Sequence, residues 1–270
     1  MKKHLPSFIP SVVAAGLAIG GLTANAQTPA LQLKASNYNA TTGVWTDSSG
    51  NGDTATFANG ATPTLALGAT PNGSAAVDII GSNSSYGVGS NFGLLNPIAG
   101  GSGYTVLAYI EATGSTGARQ ALTGGSLSGG GGNLEYDVYG GNQDYLREYQ
   151  ADVAHGTATL PTASFSLIDL AVSAAGSSFN LNGLPDGTGT GASFTTPITE
   201  IGNNEGGGDY FNGYIAEIDI YSSVLTAGQI STQEAILNSE YAAPVPEPTT
   251  WVMLAGGLGT LIGMRRFRRS

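Results

Sequence analysis

Two acidic side chains stand two residues apart in the segment Glu217-Ile218-Asp219-Ile220-Tyr221, near the C-terminal end of the chain. Alternate residues of a β-strand point to the same face of the sheet, so Glu217 and Asp219 are predicted to lie side by side. Two neighbouring carboxyl groups can act as nucleophile and acid/base in the retaining hydrolysis of a glycosidic bond. Glycoside hydrolysis is therefore one candidate chemistry, with Glu217 and Asp219 as its catalytic residues.

The strand that carries this pair is predicted to have one apolar and one polar face. Its apolar face consists of alternate residues, namely Tyr214, Ala216, Ile218 and Ile220. Glu217 and Asp219 then lie on the polar face, and Glu135 and Asp137 occupy the same kind of position in another predicted strand. If the two strands are neighbours, Glu135 or Asp137 supplies a further acid to the pair. A sandwich with a polar, tyrosine-bearing sheet surface is expected.

The elements that position these residues are short strands joined by turns rich in Gly and Asn. The clearest strands are predicted at residues 104–111, 134–139, 165–173, 178–181 and 214–221. Asn182-Gly183 is predicted to close a hairpin, because both residue types tolerate the positive φ angles of a tight turn. One helix is predicted from Thr226 to Tyr241, with Thr226 and Gln229 at capping-box spacing.

Three segments, in this order along the chain, resemble the LamG-type concanavalin A-like jelly roll. They are WTDSSGNG at residues 45–52, FNLNG at 179–183, and IG at 201–202 followed by FNGYIAE at 211–217. The resemblance covers about residues 30–242 and implies an all-β jelly-roll sandwich with one C-terminal helix. The domain is expected to span residues 27–243.

The same resemblance bears on the carboxylate pair. Laminarinase-type glucanases of this fold carry a further glutamate after the first two acids, in the pattern E-x-D-x-E or E-x-D-x-x-E, whereas this chain has Tyr221 or Ser222 there. The resemblance thus favours a non-catalytic module that binds carbohydrate or helps to build an exopolysaccharide matrix. A laminarinase-like hydrolase that uses Glu217 and Asp219, and a purely structural matrix protein, remain the alternatives.

Aromatic residues outside the predicted core are candidates for stacking on sugar rings. The predicted ligand-binding residues are Tyr139, Tyr145, Tyr149 and Tyr210. Tyr145 and Tyr149 flank Arg147 and Glu148 in a polar stretch, which suits the rim of a binding site.

Metal ligands are few in the predicted domain. His155 is its one histidine and the chain has no cysteine, so a zinc site is not expected. Hard oxygen ligands for calcium are offered by Asp47, Asn51, Asp53 and Asp209. We favour the interpretation that these four are solvated turn residues, so no cofactor is expected. A structural calcium ion is the alternative.

Charge is distributed unevenly along the 270 residues. Residues 27–243 contain three Lys and Arg against 18 Asp and Glu, whereas most of the basic residues lie in the two ends. A body this acidic repels the phosphate backbone, so nucleic acid is not an expected partner.

The N-terminal 26 residues have the pattern of a secretory signal peptide. Lys2 and Lys3 precede an apolar run that ends at Ala24-Asn25-Ala26. Cleavage by signal peptidase is predicted after Ala26, which places the domain outside the cytoplasm.

The C-terminal segment, residues 244–270, combines rigid, apolar and basic parts. Pro246-Glu247-Pro248 cannot be helical, residues 249–264 carry no charge, and four arginines follow at Arg265, Arg266, Arg268 and Arg269. A helix over 249–264 would be about 24 Å long, which is short for a permanent membrane span. The basic end is expected to stay on the cytoplasmic side.

This segment resembles the PEP-CTERM sorting signal of Gram-negative bacteria. The resemblance implies recognition by an exosortase near the Pro-Glu-Pro triplet, after a transient stay in the inner membrane. The body would then reach the cell surface or the extracellular space. An ordinary C-terminal membrane helix is the alternative.

Overall fold

The computed structural model describes residues 26–80, 89–98, 103–113, 119–125, 133–137, 143–148, 151–190, 197–203 and 209–243. Residues 1–25 of the predicted signal peptide and residues 244–270, the predicted sorting segment, lie outside these ranges. The fold is therefore that of the predicted domain between them.

Strands dominate the described residues, and one helix follows them. In chain order the strands are β1 (Leu31–Lys34), β2 (Tyr38–Asn39), β3 (Val44–Trp45), β4 (Ala55–Asn59), β5 (Thr64–Ala66), β6 (Ala76–Ile79), β7 (Asn91–Ile98), β8 (Gly103–Ala112), β9 (Arg119–Gly125), β10 (Asn133–Asp137), β11 (Gln143–Glu148), β12 (Ala151–His155), β13 (Ser166–Ser173), β14 (Gly176–Leu181), β15 (Leu184–Gly189), β16 (Ile198–Ile201) and β17 (Gly213–Tyr221). A 3₁₀ turn (Ala35–Asn37) follows β1, and the helix is α1 (Ala227–Tyr241).

The strands form two antiparallel sheets. The eight-stranded sheet has the order β15-β14-β13-β8-β17-β6-β5, and β1 also pairs with β17. The nine-stranded sheet has the order β12-β11-β10-β9-β16-β7-β4-β3-β2. The larger hydrophobic cluster, which includes Trp45, Phe92, Phe179, Ile218 and Ile220, contains residues of both sheets. The predicted all-β sandwich is confirmed.

The hairpin predicted at Asn182-Gly183 is confirmed. These two residues separate β14 from β15 and have φ angles of 53° and 76°. Asn182 also holds the start of β13, since its side-chain oxygen accepts the amide of Leu167 at 2.9 Å.

Helix α1 covers part of the outer face of the eight-stranded sheet. Thr226 caps its first turn and forms the predicted capping box with Gln229. Ile230, Leu237 and Tyr241 are buried and belong to a second hydrophobic cluster with outward-facing residues of β8, β13 and β17. The sheet therefore has apolar residues on both faces, one against the other sheet and one against the helix.

A β-bulge in β17 changes the two faces that strict alternation predicts. The pairing of β17 with β8 shifts register between Ile215 and Glu217. Ile215 consequently lies with Ile218 and Ile220 in the larger cluster, whereas Tyr214 and Ala216 belong to the helix side. The predicted assignment of Tyr214 and Ala216 to the face of Ile218 is wrong, because an extra residue at a bulge reverses the alternation before it.

Candidate functional site

Glu217 and Asp219 lie side by side on β17, as predicted, but the surface around them is closed. Glu217 is 1% exposed and Asp219 is 2% exposed. The predicted polar sheet surface is wrong at this pair, because α1 and β1 supply groups that cover it. Burial of two carboxyl groups is costly unless other groups bond to them.

Three residues on two elements, β1 and α1, are partners of Glu217. Gln32 on β1 donates its side-chain amide to Oε1 at 2.8 Å, and Tyr241 at the end of α1 donates its hydroxyl to Oε2 at 2.6 Å. The Nζ atom of Lys34 on β1 lies 3.4 Å from Oε2. We call Gln32, Lys34, Glu217, Asp219 and Tyr241 the buried cluster.

The buried cluster continues to the surface through one ion pair. Lys34 donates to Glu240 on α1 at 2.7 Å, so a single ammonium group bridges Glu217 and Glu240. Burial lowers the pKa of Lys34, but the hydrogen bond and charge of Glu240 together with the charge of Glu217 outweigh burial, and the pKa is raised. The lysine therefore stays charged at every physiological pH.

The two carboxyl groups affect each other's protonation. Burial raises the pKa of Glu217, and the hydrogen bond from Tyr241 and the charge of Lys34 only partly oppose it. Burial also raises the pKa of Asp219 well above its usual range, and the neighbouring charge of Glu217 adds to the increase. Two acids this close do not both ionise readily. Asp219 is therefore the acid of the pair that holds a proton more readily.

The geometry of the pair differs from that of an open acid/base site. Both oxygens of Glu217 accept hydrogen bonds from the protein, and retaining hydrolysis requires carboxyl groups on either side of a bound sugar. Glu135 and Asp137 are not adjacent to the pair, because β10 belongs to the nine-stranded sheet and β17 to the other. In this arrangement the pair joins β1, β17 and α1.

The structure describes two of the four predicted sugar-stacking tyrosines, Tyr210 and Tyr145. Tyr210 is buried at 8% exposure, and its ring packs on the backbone of Gly89, where an added Cβ would lie 2.4 Å from Cγ of Tyr210. It therefore does not offer an open ring face. Tyr145 lies on β11, opposite Glu135 and His155 of the neighbouring strands. Tyr139 and Tyr149 fall outside the described residues.

Among the predicted calcium ligands, Asp47 is engaged by its own loop. Its carboxylate accepts the backbone amides of Gln32 at 2.9 Å and Ser49 at 2.8 Å, and the hydroxyl of Ser49 at 2.6 Å. Burial raises the pKa of Asp47, but the hydrogen bonds outweigh burial and hold it below its ordinary value. Asp47 thus fixes the loop as an anionic acceptor.

The other three predicted calcium ligands do not join Asp47 in a recognisable metal group. Asn51 donates its amide to the carbonyl of Ala30 at 3.0 Å, and Asp53 accepts a hydrogen bond from Asn96. Asp209 accepts the backbone amide of Ala121 through its carbonyl. Within the described ranges, no three His, Cys, Asp or Glu side chains are placed to hold a metal ion. Calcium binding stays a prediction.

Four residues on the outer face of the eight-stranded sheet were missed by the sequence analysis. Tyr214 on β17 is directly opposite Asp78 on β6 and Glu111 on β8, and Phe165 precedes β13. We call Asp78, Glu111, Phe165 and Tyr214 the outer row. The bulge that turns Tyr214 outward has no clear sequence signal, because residues 214–216 are all apolar or aromatic.

A groove of about 570 Å³ lies between α1 and the β14–β15 hairpin. Its lining includes Ser178, Asn180, Pro185 and Glu234. Glu234 is 7% exposed, and its Oε1 atom has no hydrogen-bond partner in the part of the chain that the structure describes. The volume is within the range of small-molecule sites, so the groove is a second location to test for ligand binding.

The residues of the predicted export signals lie almost entirely outside the described ranges. Ala24, the Pro246-Glu247-Pro248 triplet and the four terminal arginines are outside the described residues, and Ala26 is the first residue within them. Across the described ranges, no helix combines the length and apolar character of a bilayer span.

Two family models match the chain. The model for the concanavalin A-like lectin/glucanases superfamily matches residues 87–231, and the PEP-CTERM protein-sorting motif matches residues 244–269. Both resemblances drawn from the sequence are confirmed. No curated protein matches the chain.

Solved structures share the fold at low sequence identity. Domain 4 of AbnA, a GH43 extracellular arabinanase from Geobacillus stearothermophilus in complex with arabinotriose, is 18% identical with a TM-score of 0.54, over 77% of this chain and 98% of that one. A sialidase from Trypanosoma rangeli is 20% identical with a TM-score of 0.55, over 86% of this chain and 36% of that one. The binding domain of botulinum neurotoxin DC in complex with SialylT is 12% identical with a TM-score of 0.53, over 78% and 51%. The chain thus spans about a third of the sialidase and half of the neurotoxin domain.

Proposed function

This chain belongs to the concanavalin A-like lectin/glucanases superfamily, and we propose that it is an exported, non-catalytic module that binds carbohydrate at the cell surface or in the extracellular matrix. The PEP-CTERM motif implies processing by an exosortase. Two of the similar structures are complexes, one with arabinotriose and one with SialylT, which supports a glycan as the ligand class here.

The burial of Glu217 is the observation that favours a binding function over hydrolysis. Its carboxylate is 1% exposed and is bonded to Gln32 and Tyr241, so a substrate would have to displace both donors and move α1. Breaking a buried charged network costs several kcal/mol, which a catalytic cycle would have to recover at each turnover. A binding module needs no such rearrangement.

Glycan binding and hydrolysis can be measured on one sample. Residues 27–243 contain every member of both hydrophobic clusters, so this fragment is expected to fold alone. We expect it to bind one or more oligosaccharides on a glycan array and to release no reducing sugar from β-glucans. A blank array would favour a purely structural matrix protein. Hydrolysis that is lost in Glu217→Gln, with the fold retained, would establish the hydrolase instead.

The transient membrane stage is a separate part of the proposal. A mature protein beginning at Gln27 and ending near Pro246, recovered outside the inner membrane, is the expected result of mass spectrometry on producing cells. Protein that retains residues 249–270 and stays in the inner-membrane fraction would contradict release and support a permanent anchor.

A further inference from the structure

Three members of the outer row lie on adjacent strands, namely Asp78 on β6, Tyr214 on β17 and Glu111 on β8, and Phe165 directly precedes β13. Asp78 and Glu111 are the cross-strand neighbours of Tyr214 on either side. Asp78 is two residues from Ala76, and Glu111 is two residues from Tyr109. Ala76 and Tyr109 belong to the second hydrophobic cluster beneath α1, so Asp78 and Glu111 point to the same outer face. All four side chains of the outer row are partly exposed.

Stacking holds the aromatic part of the outer row in place. The rings of Phe165 and Tyr109 are nearly parallel at 14°, with centroids 5.6 Å apart, and Tyr109 stacks in turn on Tyr241 of α1 at 5.4 Å. Phe165 and Tyr214 are 6.4 Å apart. The exposed rings are thus the outer end of an aromatic run that is anchored beneath the helix, and a ligand that stacks on them orders little further side chain.

Among the described residues, the carboxylates of the outer row have no partner of their own. The side chains of Asp78 and Glu111 form no hydrogen bond or ion pair with any residue that the structure describes. The charge of Asp78, then burial, then the charge of Glu111 raise the pKa of Tyr214, because its hydroxyl lies near both carboxylates. Lys34, the lysine of the same sheet, is already bonded to Glu240.

We propose that the outer row is a glycan-binding surface for pyranose units that carry no acidic group. The choice of a glycan as ligand rests on the proposed function. The C–H face of a pyranose stacks on exposed Tyr and Phe rings, and carboxylates accept hydrogen bonds from its hydroxyl groups. Asp78 and Glu111 repel uronic and sialic acids and attract an amino sugar, which sets the order amino, neutral, acidic.

The test compares three probes with the 27–243 fragment. Calorimetric titration with oligomers of glucosamine, glucose and galacturonate should give binding that weakens in that order, with no binding of galacturonate. Tyr214→Ala should weaken binding about tenfold, since one stacked aromatic contributes on that scale. Tyr214→Phe keeps the ring and should retain most of the affinity. Asp78→Asn with Glu111→Gln should remove the preference for the amino sugar.

Matched controls separate this surface from other locations and from general charge. Glu234→Gln removes an acid from the groove beside α1, and Asp53→Asn removes an acid from a distant loop; both should bind as the wild type does. Circular dichroism and thermal unfolding establish that each variant is folded. If the wild type binds but the Tyr214 and Asp78/Glu111 variants bind equally well, the site is elsewhere and only this inference fails. Preference for galacturonate also overturns it. If the wild type binds no glycan, the proposed function fails as well.

Discussion

Two acidic pairs share the outer face of the eight-stranded sheet, and their surroundings are opposite. Glu217 and Asp219 lie beneath α1 and are almost completely buried, whereas Asp78 and Glu111 flank Tyr214 beyond the helix and remain partly exposed. Glu217 has partners on β1 and α1, but neither acid of the outer row has one in the described residues. The same residue type on one sheet surface is thus structural where the helix covers it and available to ligands where the helix ends.

The largest contrast is expected on removing one acid from each pair. Glu217→Ala leaves Gln32, Lys34 and Tyr241 without their shared acceptor and should lower the free energy of unfolding by about 3–5 kcal/mol. Glu111→Ala is the matched control and should change it by less than about 0.5 kcal/mol. Urea unfolding of the 27–243 fragment measures both. Equal effects would contradict the distinction between the two pairs.

The pH dependence of stability provides the next contrast. The pKa of Asp219 is raised in the folded state, so its contribution to stability is fully present below its unfolded pKa of about 3.9 and is lost as pH rises through the folded pKa. Between those two values the free energy of unfolding should fall by up to about 1.4 kcal/mol per pH unit from this residue.

The variant Asp219→Asn isolates that contribution. Its stability relative to the wild type should increase as pH rises from about 4 towards neutrality, because the amide cannot ionise. Unfolding curves of both proteins at matched pH values give the difference directly. A difference that is constant with pH would refute the raised pKa of Asp219.

A smaller difference is expected between two tyrosine hydroxyls. Tyr241→Phe removes a hydrogen bond to the buried Glu217 and should cost about 1–3 kcal/mol. Tyr214→Phe removes a hydroxyl from the outer row and should be close to neutral, within about 0.5 kcal/mol. Thermal unfolding of the two variants tests this, and a neutral Tyr241→Phe would mean that the helix does not depend on Glu217.

The smallest effect concerns the outer row alone. Asp78→Asn combined with Glu111→Gln relieves the mutual repulsion of the two acids on either side of Tyr214, so stability should be unchanged or increase by a few tenths of a kcal/mol. Addition of salt should then alter the melting temperature of the double variant less than that of the wild type. A clear loss of stability would show that these acids support the fold.

Local signals in the sequence predicted the elements well. Thr226 and Gln229 predicted the start of α1, and Asn182-Gly183 predicted the hairpin, because capping and turn geometry depend on residues a few positions apart. The strand that carries Glu217 was also predicted close to its observed bounds. The alternation within that strand failed at the bulge, since a one-residue shift leaves no mark where both faces are apolar.

The partners of the candidate site could not be predicted in the same way. Gln32 and Glu217 are 185 residues apart, and Lys34 and Glu240 are 206 residues apart. Nothing in the composition of either segment specifies such a pairing. Whether an acid is covered depends on which element packs over it, and that is a property of the tertiary structure.

The pairing of the first strand with the last imposes an order on folding. Strand β1 pairs with residues 217–220, so it has no partner on β17 until almost the whole domain has left the ribosome or crossed the membrane. Closing so long a loop is entropically costly, and sheets built on distant pairings form slowly. A chain interrupted before residue 213 would lack β17, the strand that joins β1, β6 and β8, and would expose unpaired strand edges that favour aggregation.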